Sequence, residues 1–425
     1  MHENTAGFAA DTEILARRGW LTFDQLGDTD EVATRSPEGR FDWHKPAERH
    51  CRPFDGEMVE FASKSIDLLV TPAHQMLVRR PAYYMQEHPQ AAGADWHPRP
   101  ASYFADHPTS WWEFPSTSRW EDGESPAEFV IERQAADRSH PAYEKAADWL
   151  RGYLTAEWTL SADVTAAAKA AGIGRNAFMA ARNLIGAPTR KVGGTGGYWE
   201  TGRPTREPEH SSGGYHPVPG VRMPMRALCS LLGLFLAEGW VRADRDDIII
   251  SQYPTSRHMP EIKAILAATG LHWPYDERNN KFTTSSKALA DWLRENAGKR
   301  AWGKHVPDGF LDLDADLLNA LLRGMMIGDG HWGPQGQRYY TTTSPRFADE
   351  VQEIFQKVGA DAWIRPNDPV PGQKAVRRIY VVRERMQEAH MLPKATLREY
   401  HGSVYDVTVP NPTVYVRRNG RAVWA

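Results

Sequence analysis

Two apolar segments, each ending in an acidic residue followed by glycine, constrain the fold of this 425-residue chain more than any other feature. Residues 231–240 read LLGLFLAEGW, and residues 321–330 read LLRGMMIGDG. Both begin with a pair of leucines, and in both a glycine stands five residues before the acid, which is Glu238 in the first and Asp329 in the second. Because a helix this apolar must be buried, the sequence predicts two core helices.

The small residues of these segments predict that the two helices pack against each other. Gly233 and Gly324, and further along Ala237 and Gly328, would allow the two backbones to approach closely. Such packing would bring Glu238 and Asp329 side by side at one end of the pair. Two neighbouring carboxylates are unfavourable unless a cation lies between them. Together with water and a phosphate, they would form a Mg²⁺ site suited to phosphodiester hydrolysis.

The segments after the two acids also repeat. Glu238 is followed by a predicted strand at 248–252 and a predicted helix at 259–266. Asp329 is followed by a predicted strand at 339–343 and a predicted helix at 348–358. The pattern indicates an internal duplication of about 90 residues with α+β structure. Its strands would be available to lie along a DNA groove.

The duplicated region, roughly residues 222–385, resembles the LAGLIDADG homing endonucleases. The resemblance implies a pseudo-two-fold helix interface, a saddle of strands over a long double-stranded DNA site, and cleavage of both strands with a divalent metal. Glu238 and Asp329 fall on the metal-binding acids of that family. Lys304 matches a Lys-x-x-Pro pattern before the second motif, which implies a catalytic role, although a plain surface lysine is the alternative. The second half of the duplication has no clear counterpart of Lys304, and Lys374 and Lys394 are only weak candidates for that role.

A second candidate DNA-binding region precedes the duplication. Asp163 is a predicted N-cap, Gly172 a predicted helix stop, and a second helix is predicted at 175–185, which together form a helix-turn-helix pattern. Residues 190–199 predict a glycine-tipped hairpin, or wing. Residues 175–226 hold eight Arg or Lys against three Glu. The sequence therefore predicts DNA contacts, against the alternative of a helical hairpin that only packs, and the candidate residues are Arg175, Arg182, Arg190 and Lys191.

Both ends of the chain predict β structure. Short apolar runs at 12–15, 32–34, 58–61 and 68–70 have the length and β-branched content of strands. The runs at 404–409 and 414–416, with Asn419-Gly420 as a hairpin turn, read in the same way. The prolines within 81–126 predict a loop-rich segment without long helices. One β domain interrupted by an insertion and two unrelated β modules are both compatible with this pattern.

The two ends resemble the Hint fold of self-splicing inteins, in four blocks that occur in the family's order. The blocks are GFAADTEI at 7–14, TPAH at 71–74, VYDVTV at 404–409 and the closing residues 419–425. The resemblance implies that the splicing positions are Gly7, Thr71, His74, Asp406 and Ala425. Splicing begins with attack by a side-chain nucleophile and ends when a terminal Asn cyclises. Gly7 has no side chain and Ala425 no carboxamide, so we expect a chain that does not splice.

Composition excludes several classes of protein. The chain has 51 basic and 54 acidic residues, a net charge of −3, which excludes a uniformly basic nucleic-acid coat. Its two cysteines exclude a disulfide framework or a cysteine-rich zinc site. Without an apolar run of about 20 residues or a signal peptide, we expect a soluble protein that does not contact membranes. We further expect a monomer in the cytoplasm of a prokaryotic or phage-infected cell.

The combined prediction is a multidomain protein in which an all-β Hint domain is split by a helix-turn-helix module and a pseudo-two-fold α+β endonuclease. The predicted boundaries are 1–6 for a remnant of the host protein (the extein), 7–135 and 396–425 for the Hint parts, 136–202 for the DNA-binding module and 203–395 for the endonuclease. The predicted function is site-specific, Mg²⁺-dependent double-strand cleavage of DNA. The alternatives are a DNA-binding protein that no longer cleaves and a splicing element inactivated at its junctions.

Overall fold

The computed structural model describes residues 5–107, 111–132, 141–185, 187–193, 197–203, 220–369, 377–386 and 389–425. The chain divides into two compact units. The main unit consists of residues 1–129, 223–285 and 290–425, and the small unit consists of residues 130–222 and 286–289. Among the helices of the described residues, none is both long and apolar enough to cross a membrane.

The chain begins with a series of strands in the main unit. They are β1 (Phe8–Ala9), β2 (Glu13–Ala16), β3 (Gly19–Thr22), β4 (Val32–Arg35), β5 (Arg40–His44), β6 (Glu48–Ala62), β7 (Asp67–Val70) and β8 (Gln75–Val78). The four apolar runs predicted as strands lie in β2, β4, β6 and β7, which confirms them. Their apolar side chains form one core that includes Phe8, Ile14, Phe61 and Val70.

The proline-rich segment that follows has only short elements, as predicted. They are α1 (Ala82–Glu87), β9 (His97–Pro100), α2 (Ala101–Asp106), β10 (Glu113–Pro115), β11 (Arg119–Trp120) and β12 (Glu128–Ile131). Trp112 is fully buried here. The guanidinium groups of Arg80 and Arg99 lie 3.9 and 4.7 Å from the centre of its ring. These cation–π contacts help to fix a segment that has little regular structure.

The small unit combines three helices with a three-stranded sheet. Its elements are α3 (Pro141–Tyr153), β13 (Thr159–Leu160), α4 (Ser161–Ala170), α5 (Arg175–Leu184), β14 (Thr189–Val192) and β15 (Tyr198–Thr201). The predicted N-cap at Asp163 is wrong, because α4 starts two residues earlier, at Ser161, and Asp163 lies in its first turn. Gly172 has φ +75° in the turn between α4 and α5, a conformation that favours glycine. The predicted hairpin tip, at 194–196, lies outside the described residues.

Two copies of one topology make up the duplicated region. The first is α6 (Met225–Glu238), β17 (Gly239–Val241), β18 (Asp247–Ser251), α7 (Met259–Ala268), β19 (Tyr275–Asp276) and β20 (Lys281–Ser285), which follows β16 (Val221–Pro224) and precedes α8 (Lys287–Asn296). The second is α9 (Ala315–Gly328), β21 (Gly330–Trp332), β22 (Arg338–Thr342), α10 (Pro345–Lys357), β23 (Asp361–Asn367) and β24 (Ile379–Arg385).

Strand order in the two copies is the same. The first sheet has the order β17-β18-β20-β19, and the strands of the second have the order β21-β22-β24-β23. Each copy is therefore a helix, a hairpin, a second helix and a second hairpin. The prediction from sequence contained no strands after the second helix of either copy. In the first copy β19 has only two residues and β20 is largely polar, whereas in the second copy β24 begins with four apolar or aromatic residues that could have indicated a strand.

The last strands pair with the first ones. They are β25 (Ala389–Met391), β26 (Ala395–Thr408), β27 (Thr413–Arg418) and β28 (Arg421–Trp424). All of β26 is antiparallel to β6, from Ala395 opposite Phe61 to Thr408 opposite Glu48. β27 pairs with β2 and β4. The two ends therefore form one β structure, and the alternative of two separate β modules is wrong.

The hairpin predicted at Asn419-Gly420 is confirmed. The two residues have φ +50° and +75°, the left-handed values that a tight hairpin turn requires, and they join β27 to β28. β28 also pairs with β23 where Arg421 lies opposite Trp363. Through this contact, the sheet of the second copy continues into the sheet formed by the two ends of the chain.

Candidate active site

Helices α6 and α9 approach each other so closely that two positions accept only glycine. A Cβ atom on Gly233 would lie 2.2 Å from the carbonyl oxygen of Leu321, and one on Gly324 would lie 2.3 Å from that of Ser230. Backbone oxygens cannot move aside as a flexible side chain can, so any larger residue would push the helices apart. The predicted close approach is confirmed.

The close approach extends to the end of the pair where the two acids lie. A Cβ atom on Gly328 would lie 2.4 Å from the Cβ of Ala237 and 3.1 Å from the Cγ of Glu238. Glu238 is the last residue of α6, and Asp329 directly follows the last residue of α9. Glu238 is half-buried, whereas Asp329 reaches solvent. The helix pair thus presents both carboxylates at one end, with access from outside.

The pKa values of the two carboxyl groups are shifted by burial and by nearby charges. Burial raises the pKa of Glu238, the Asp329 carboxylate raises it further, and Lys304 lowers it. Partial removal from water also raises the pKa of Asp329, and the positive charge of Lys304 opposes this shift. Both groups are therefore less stable as anions than in water, and a cation held between them would stabilise them.

Lys304 closes one side of this site. Its Nζ donates hydrogen bonds to the carbonyl oxygens of Phe235, at 2.8 Å, and Ala237, at 3.3 Å, in the last turn of α6. The carbonyl of Phe235 also accepts the backbone N–H of Gly239, and a cation is favoured at this helix end by the helix dipole. Burial lowers the pKa of Lys304 to about 8, against the opposing effect of the two carboxylates.

Tyr340 is a neighbour of the site that the sequence prediction did not single out. It lies in β22 opposite Gly330 and is buried. Burial raises its pKa well above the ordinary value, and both Asp329 and Glu238 raise it further, which places the phenol in the field of the two acids. The sequence shows only an aromatic residue in a strand, a pattern that does not distinguish it from Tyr339.

The donor chemistry of the site fits a hard divalent cation. Both side chains offer carboxylate oxygens, which Mg²⁺ prefers, and the two lie at the ends of rigidly packed helices. Within the part of the chain that the structure describes, no group of three or more His, Cys, Asp or Glu side chains is placed to hold a metal. A cation here would therefore be bound by two carboxylates and completed by water and by the oxygens of a phosphate.

The candidate DNA-contacting residues of the small unit differ in their surroundings. Arg175, at the start of α5, and Lys191, in β14, are exposed, and Arg182, in the last turn of α5, is half-buried. Arg190 already has partners, because its Nε lies 2.8 Å from a carboxylate oxygen of Glu200 and its guanidinium lies 4.2 Å from the ring centre of Trp158.

Four of the five predicted splicing positions come together in the main unit. The backbone N–H of Thr71 donates to the carbonyl oxygen of Gly7 at 2.9 Å. His74 is buried, and its ring lies 4.4 Å from that of Phe8. Burial lowers the pKa of His74, against the opposing effect of Asp406. Among the described residues, the hydroxyl of Thr71 and both ring nitrogens of His74 are buried and have no hydrogen-bond partner.

The fifth position, Ala425, lies in the same core. Its backbone exchanges two hydrogen bonds with Val414, at 2.9 and 3.0 Å, and its side chain belongs to the hydrophobic cluster that contains Phe8. A Cβ atom on Gly7 would lie 3.1 Å from the carbonyl oxygen of Tyr405 and 3.1 Å from the Cβ of Val404. The space around Gly7 is therefore narrow for a side chain.

One family model matches a part of the chain. Residues 316–389, which contain most of α9 and Asp329, match the LAGLIDADG-like domain. Curated relatives include the ATP-dependent DNA helicase Hel308 of Thermococcus kodakarensis, 28% identical over 144 residues, which are 30% of this chain and 12% of the helicase. Protein RecA of Mycobacterium tuberculosis is 32% identical over 97 residues, 20% of this chain and 12% of RecA. The chain thus matches about an eighth of the length of these relatives.

Similar solved structures include a homing endonuclease and a split intein. The homing endonuclease I-DmoI, in mesophilic variants, is 13% identical, covers 38% of this chain and 89% of its own, and has a TM-score of 0.27. A splice-inactive variant of the AceL NrdHF class 3 split intein is 17% identical, covers 26% of this chain and 64% of its own, and has a TM-score of 0.21.

Proposed function

We propose that this chain is a metal-dependent, site-specific DNA endonuclease of the LAGLIDADG type, embedded in a β framework of the Hint type that does not splice. One observation carries the proposal: two glycine-packed helices deliver Glu238 and Asp329 together, next to Lys304, at the end of a duplicated fold. The family match of residues 316–389 supports it. Two carboxylates in this setting suit metal-assisted hydrolysis of a phosphodiester.

Glu238 and Asp329 would hold Mg²⁺. Held by these two carboxylates, the cation would supply charge neutralisation at the phosphate and a more acidic water. The protein's own contribution is to fix the two carboxylates on helices that cannot separate without breaking the Gly233 and Gly324 contacts. Placement on rigid elements keeps the reacting groups in position.

Lys304 would act on the same phosphate or on the attacking water. With a pKa of about 8, its amine exists in both charged and neutral forms near neutral pH. The charged form opposes the negative charge that develops on the phosphate, and the neutral form can accept a proton. The hydrogen bonds to Phe235 and Ala237 hold the amine beside the helix end in either case.

Double-stranded DNA would lie against the sheets of the two copies. In β22, Tyr340 is buried toward the helices, so its neighbour Tyr339 points to the opposite face. On that face, the guanidinium of Arg383 lies 4.9 Å from the ring centre of Tyr339, and the His331 ring lies 5.6 Å from it. Cationic and hydrogen-bonding side chains on this face suit contacts to phosphates and base edges.

The small unit would add contacts to the DNA through Arg175, Arg182 and Lys191. We propose that Arg190 instead supports the hairpin, since Glu200 and Trp158 already engage its guanidinium. We also propose that the Hint-type region is a scaffold, because Gly7 lacks the nucleophile that splicing requires. Thr71, His74 and Asp406 would then be residual splicing residues.

The decisive test is cleavage of a pool of plasmids with random inserts, in Mg²⁺ and in EDTA, with the new DNA ends sequenced. We expect breaks at a discrete sequence in Mg²⁺ alone, lost in Asp329→Asn. Asp316→Asn is the matched control, because Asp316 is an exposed acid in the first turn of the same helix. Specific binding without cutting would overturn the enzymatic proposal and favour a DNA-binding protein that has lost cleavage.

A further inference from the structure

The loop that carries Lys304 runs from the end of α8 to α9 and has an unusual backbone. Gly298 has φ +74° and Arg300 has φ +61°, a conformation that a residue with a side chain rarely adopts. A short 3₁₀ turn over Ala301–Gly303 follows, and Lys304 comes directly after it. The loop bonds to itself, from the backbone N–H of His305 to the carbonyl oxygen of Ala297 at 3.4 Å, and it is also held by contacts from α10.

One such contact comes from Ser344, the N-cap of α10. Its hydroxyl oxygen accepts a hydrogen bond from the backbone N–H of Phe347 at 3.2 Å. The same hydroxyl donates to the carbonyl oxygen of Lys304 at 2.8 Å. Ser344 is 2% exposed, so water cannot readily replace either bond. A single side chain thus caps α10 and holds the backbone of the lysine.

A second contact comes from Glu350, one and a half turns further along α10. One of its carboxylate oxygens accepts from the backbone N–H of Val306 at 2.7 Å, and the other accepts from Nε of Arg346 at 2.7 Å. Ser344 and Glu350 therefore hold the loop on both sides of His305. Ser344 bonds to the carbonyl of Lys304, and Glu350 bonds to the N–H of Val306.

Helix α10 is itself firmly anchored in the main unit. The side-chain amide of Gln352 donates to the carbonyl oxygens of Ala362, at 2.8 Å, and Gly420, at 3.2 Å. Asp349 pairs with the buried guanidinium of Arg417. The loop is therefore held by a helix that is fixed on both the second copy and the terminal β structure.

We infer that Ser344 and Glu350 are positioning residues that hold Lys304 against the end of α6, beside Glu238 and Asp329. The inference rests on the proposed endonuclease function. Both residues bond to the backbone of the loop that carries the lysine, so they act on the site through the lysine. Loss of either contact releases the loop, and the amine then leaves the carbonyls of Phe235 and Ala237.

Three substitutions of Ser344 separate its two hydrogen bonds. Ser344→Thr keeps a hydroxyl that both accepts and donates. Ser344→Asp keeps an acceptor for the N-cap but has no proton for the Lys304 carbonyl, since an ionised carboxylate only accepts. Ser344→Ala loses both bonds. At Glu350, Glu350→Gln keeps an acceptor oxygen for Val306, and Glu350→Ala removes it.

Cleavage rate and DNA affinity are measured separately, the first in single turnover with Mg²⁺ and the second in EDTA. We expect Ser344→Asp, Ser344→Ala and Glu350→Ala to lose cleavage rate about tenfold or more with affinity unchanged. Ser344→Thr and Glu350→Gln should stay within about threefold of the parent chain. Equal rates in Ser344→Asp and the parent chain would overturn the inference.

A double substitution tests whether Ser344 acts through the lysine. If it does, Ser344→Asp will cause no further loss in a Lys304→Met background, because the group it positions is already absent. Multiplied losses in that double variant would mean that Ser344 has only a general structural role, and would overturn the inference.

Backbone hydrogen exchange tests the same contacts without DNA cleavage. We expect Ser344→Asp and Glu350→Ala to exchange faster in the loop 297–306 and at the parent rate in α6 and α9. If the parent chain cleaves no DNA, the proposed function fails, and this exchange result still decides whether the loop is held. Unchanged exchange in the loop would overturn the inference.

Discussion

Glu238, Asp329 and Lys304 illustrate how a few contacts set the chemistry of a site. The two acids are brought together by helix packing, and the lysine reaches them by bonding to the last carbonyls of α6. Each group shifts the pKa of another, and burial contributes most in every case. The same partly buried setting that makes the anions unfavourable makes a divalent cation favourable.

Glu350 gives a pH-dependent prediction at the residue scale. Burial raises its pKa from 4.5 to about 7. An acid that binds its proton more tightly in the folded state lowers folding stability as pH rises from about 4.5 through about 7. Glu350→Gln has no charge to bury, so we expect it to gain stability over the parent chain by roughly 1–3 kcal/mol between pH 5 and pH 8.

Thermal unfolding at several pH values checks this prediction. Glu399→Gln, which changes an exposed glutamate of β26, is the control and should show no such pH dependence. A stability difference between Glu350→Gln and the parent chain that is constant from pH 5 to pH 8 would contradict it.

At the scale of elements, the α6–α9 pair and the α5 helix with its hairpin differ in which residues they can accept. The helix pair requires small residues at fixed positions, because backbone atoms meet there. The α5 helix and hairpin require only a packed inner side, formed by residues such as Phe178 and Ala181, and leave the outer side free to carry charge. We therefore expect a larger side chain in the α6–α9 pair to reduce folding stability. We expect the loss of a charged side chain from α5 or its hairpin to reduce DNA binding.

Gly324→Ala should destabilise the main unit by roughly 2–3 kcal/mol and lower cleavage, because the added carbon would overlap the Ser230 carbonyl and force the helices apart. Gly152→Ala is the matched control, since Gly152 also lies in a helix and a Cβ there would meet none of the residues that the structure describes within 4 Å. We expect it to leave stability unchanged or raise it by roughly 0.5–1 kcal/mol. Chemical denaturation of both variants measures the difference.

Lys191→Ala should weaken DNA binding with little change in the single-turnover cleavage rate. A lysine that contacts a phosphate releases a counterion, so its loss should reduce the slope of log affinity against log salt concentration by about 1. Lys145→Ala, an exposed lysine of α3, is the control. Binding titrations at several salt concentrations check it, and identical slopes for Lys191→Ala and the parent chain would contradict a phosphate contact.

At the scale of the whole molecule, the terminal strands and the second copy of the duplication are one structure. The sheet runs from β11 through β27 and β28 into β23 and on to β21. Arg417 of β27 links the terminal β structure to the second copy. Its guanidinium is paired with Glu13 of β2 and with Asp349 of α10. A change at the junction should therefore affect both regions.

Arg417→Ala should lower the stability of both regions by about 1–3 kcal/mol, because it leaves the half-buried carboxylates of Glu13 and Asp349 without their partner. Arg398→Ala is the control: Arg398 is 53% exposed and pairs with Glu60, so its loss should cost less than ~1 kcal/mol. Hydrogen exchange in β27 and in α10 would show whether both regions lose protection together. Faster exchange in one region alone would contradict the prediction.

The sequence by itself determined the features that are encoded within a few neighbouring residues. Apolar runs, the spacing of Gly233 and Gly324 before the acids, and the Asn419-Gly420 turn predicted the core helices, their close approach and the last hairpin. Each of these features depends on local periodicity or on the properties of glycine. Periodicity and glycine positions can both be read from neighbouring residues in the sequence. The exact start of α4 and the strands β19 and β20 of the first copy could not be read in this way, because their local signals are weak.

Only the tertiary structure decided which distant residues complete the site and how the regions join. Ser344 contacts Lys304 from 40 residues away, and β28 meets β23 through one pair of residues. A serine before a helix predicts an N-cap, but nothing local shows that its hydroxyl also donates to the loop of the lysine. Such contacts follow from how whole elements pack, and packing depends on the entire chain rather than on any single segment.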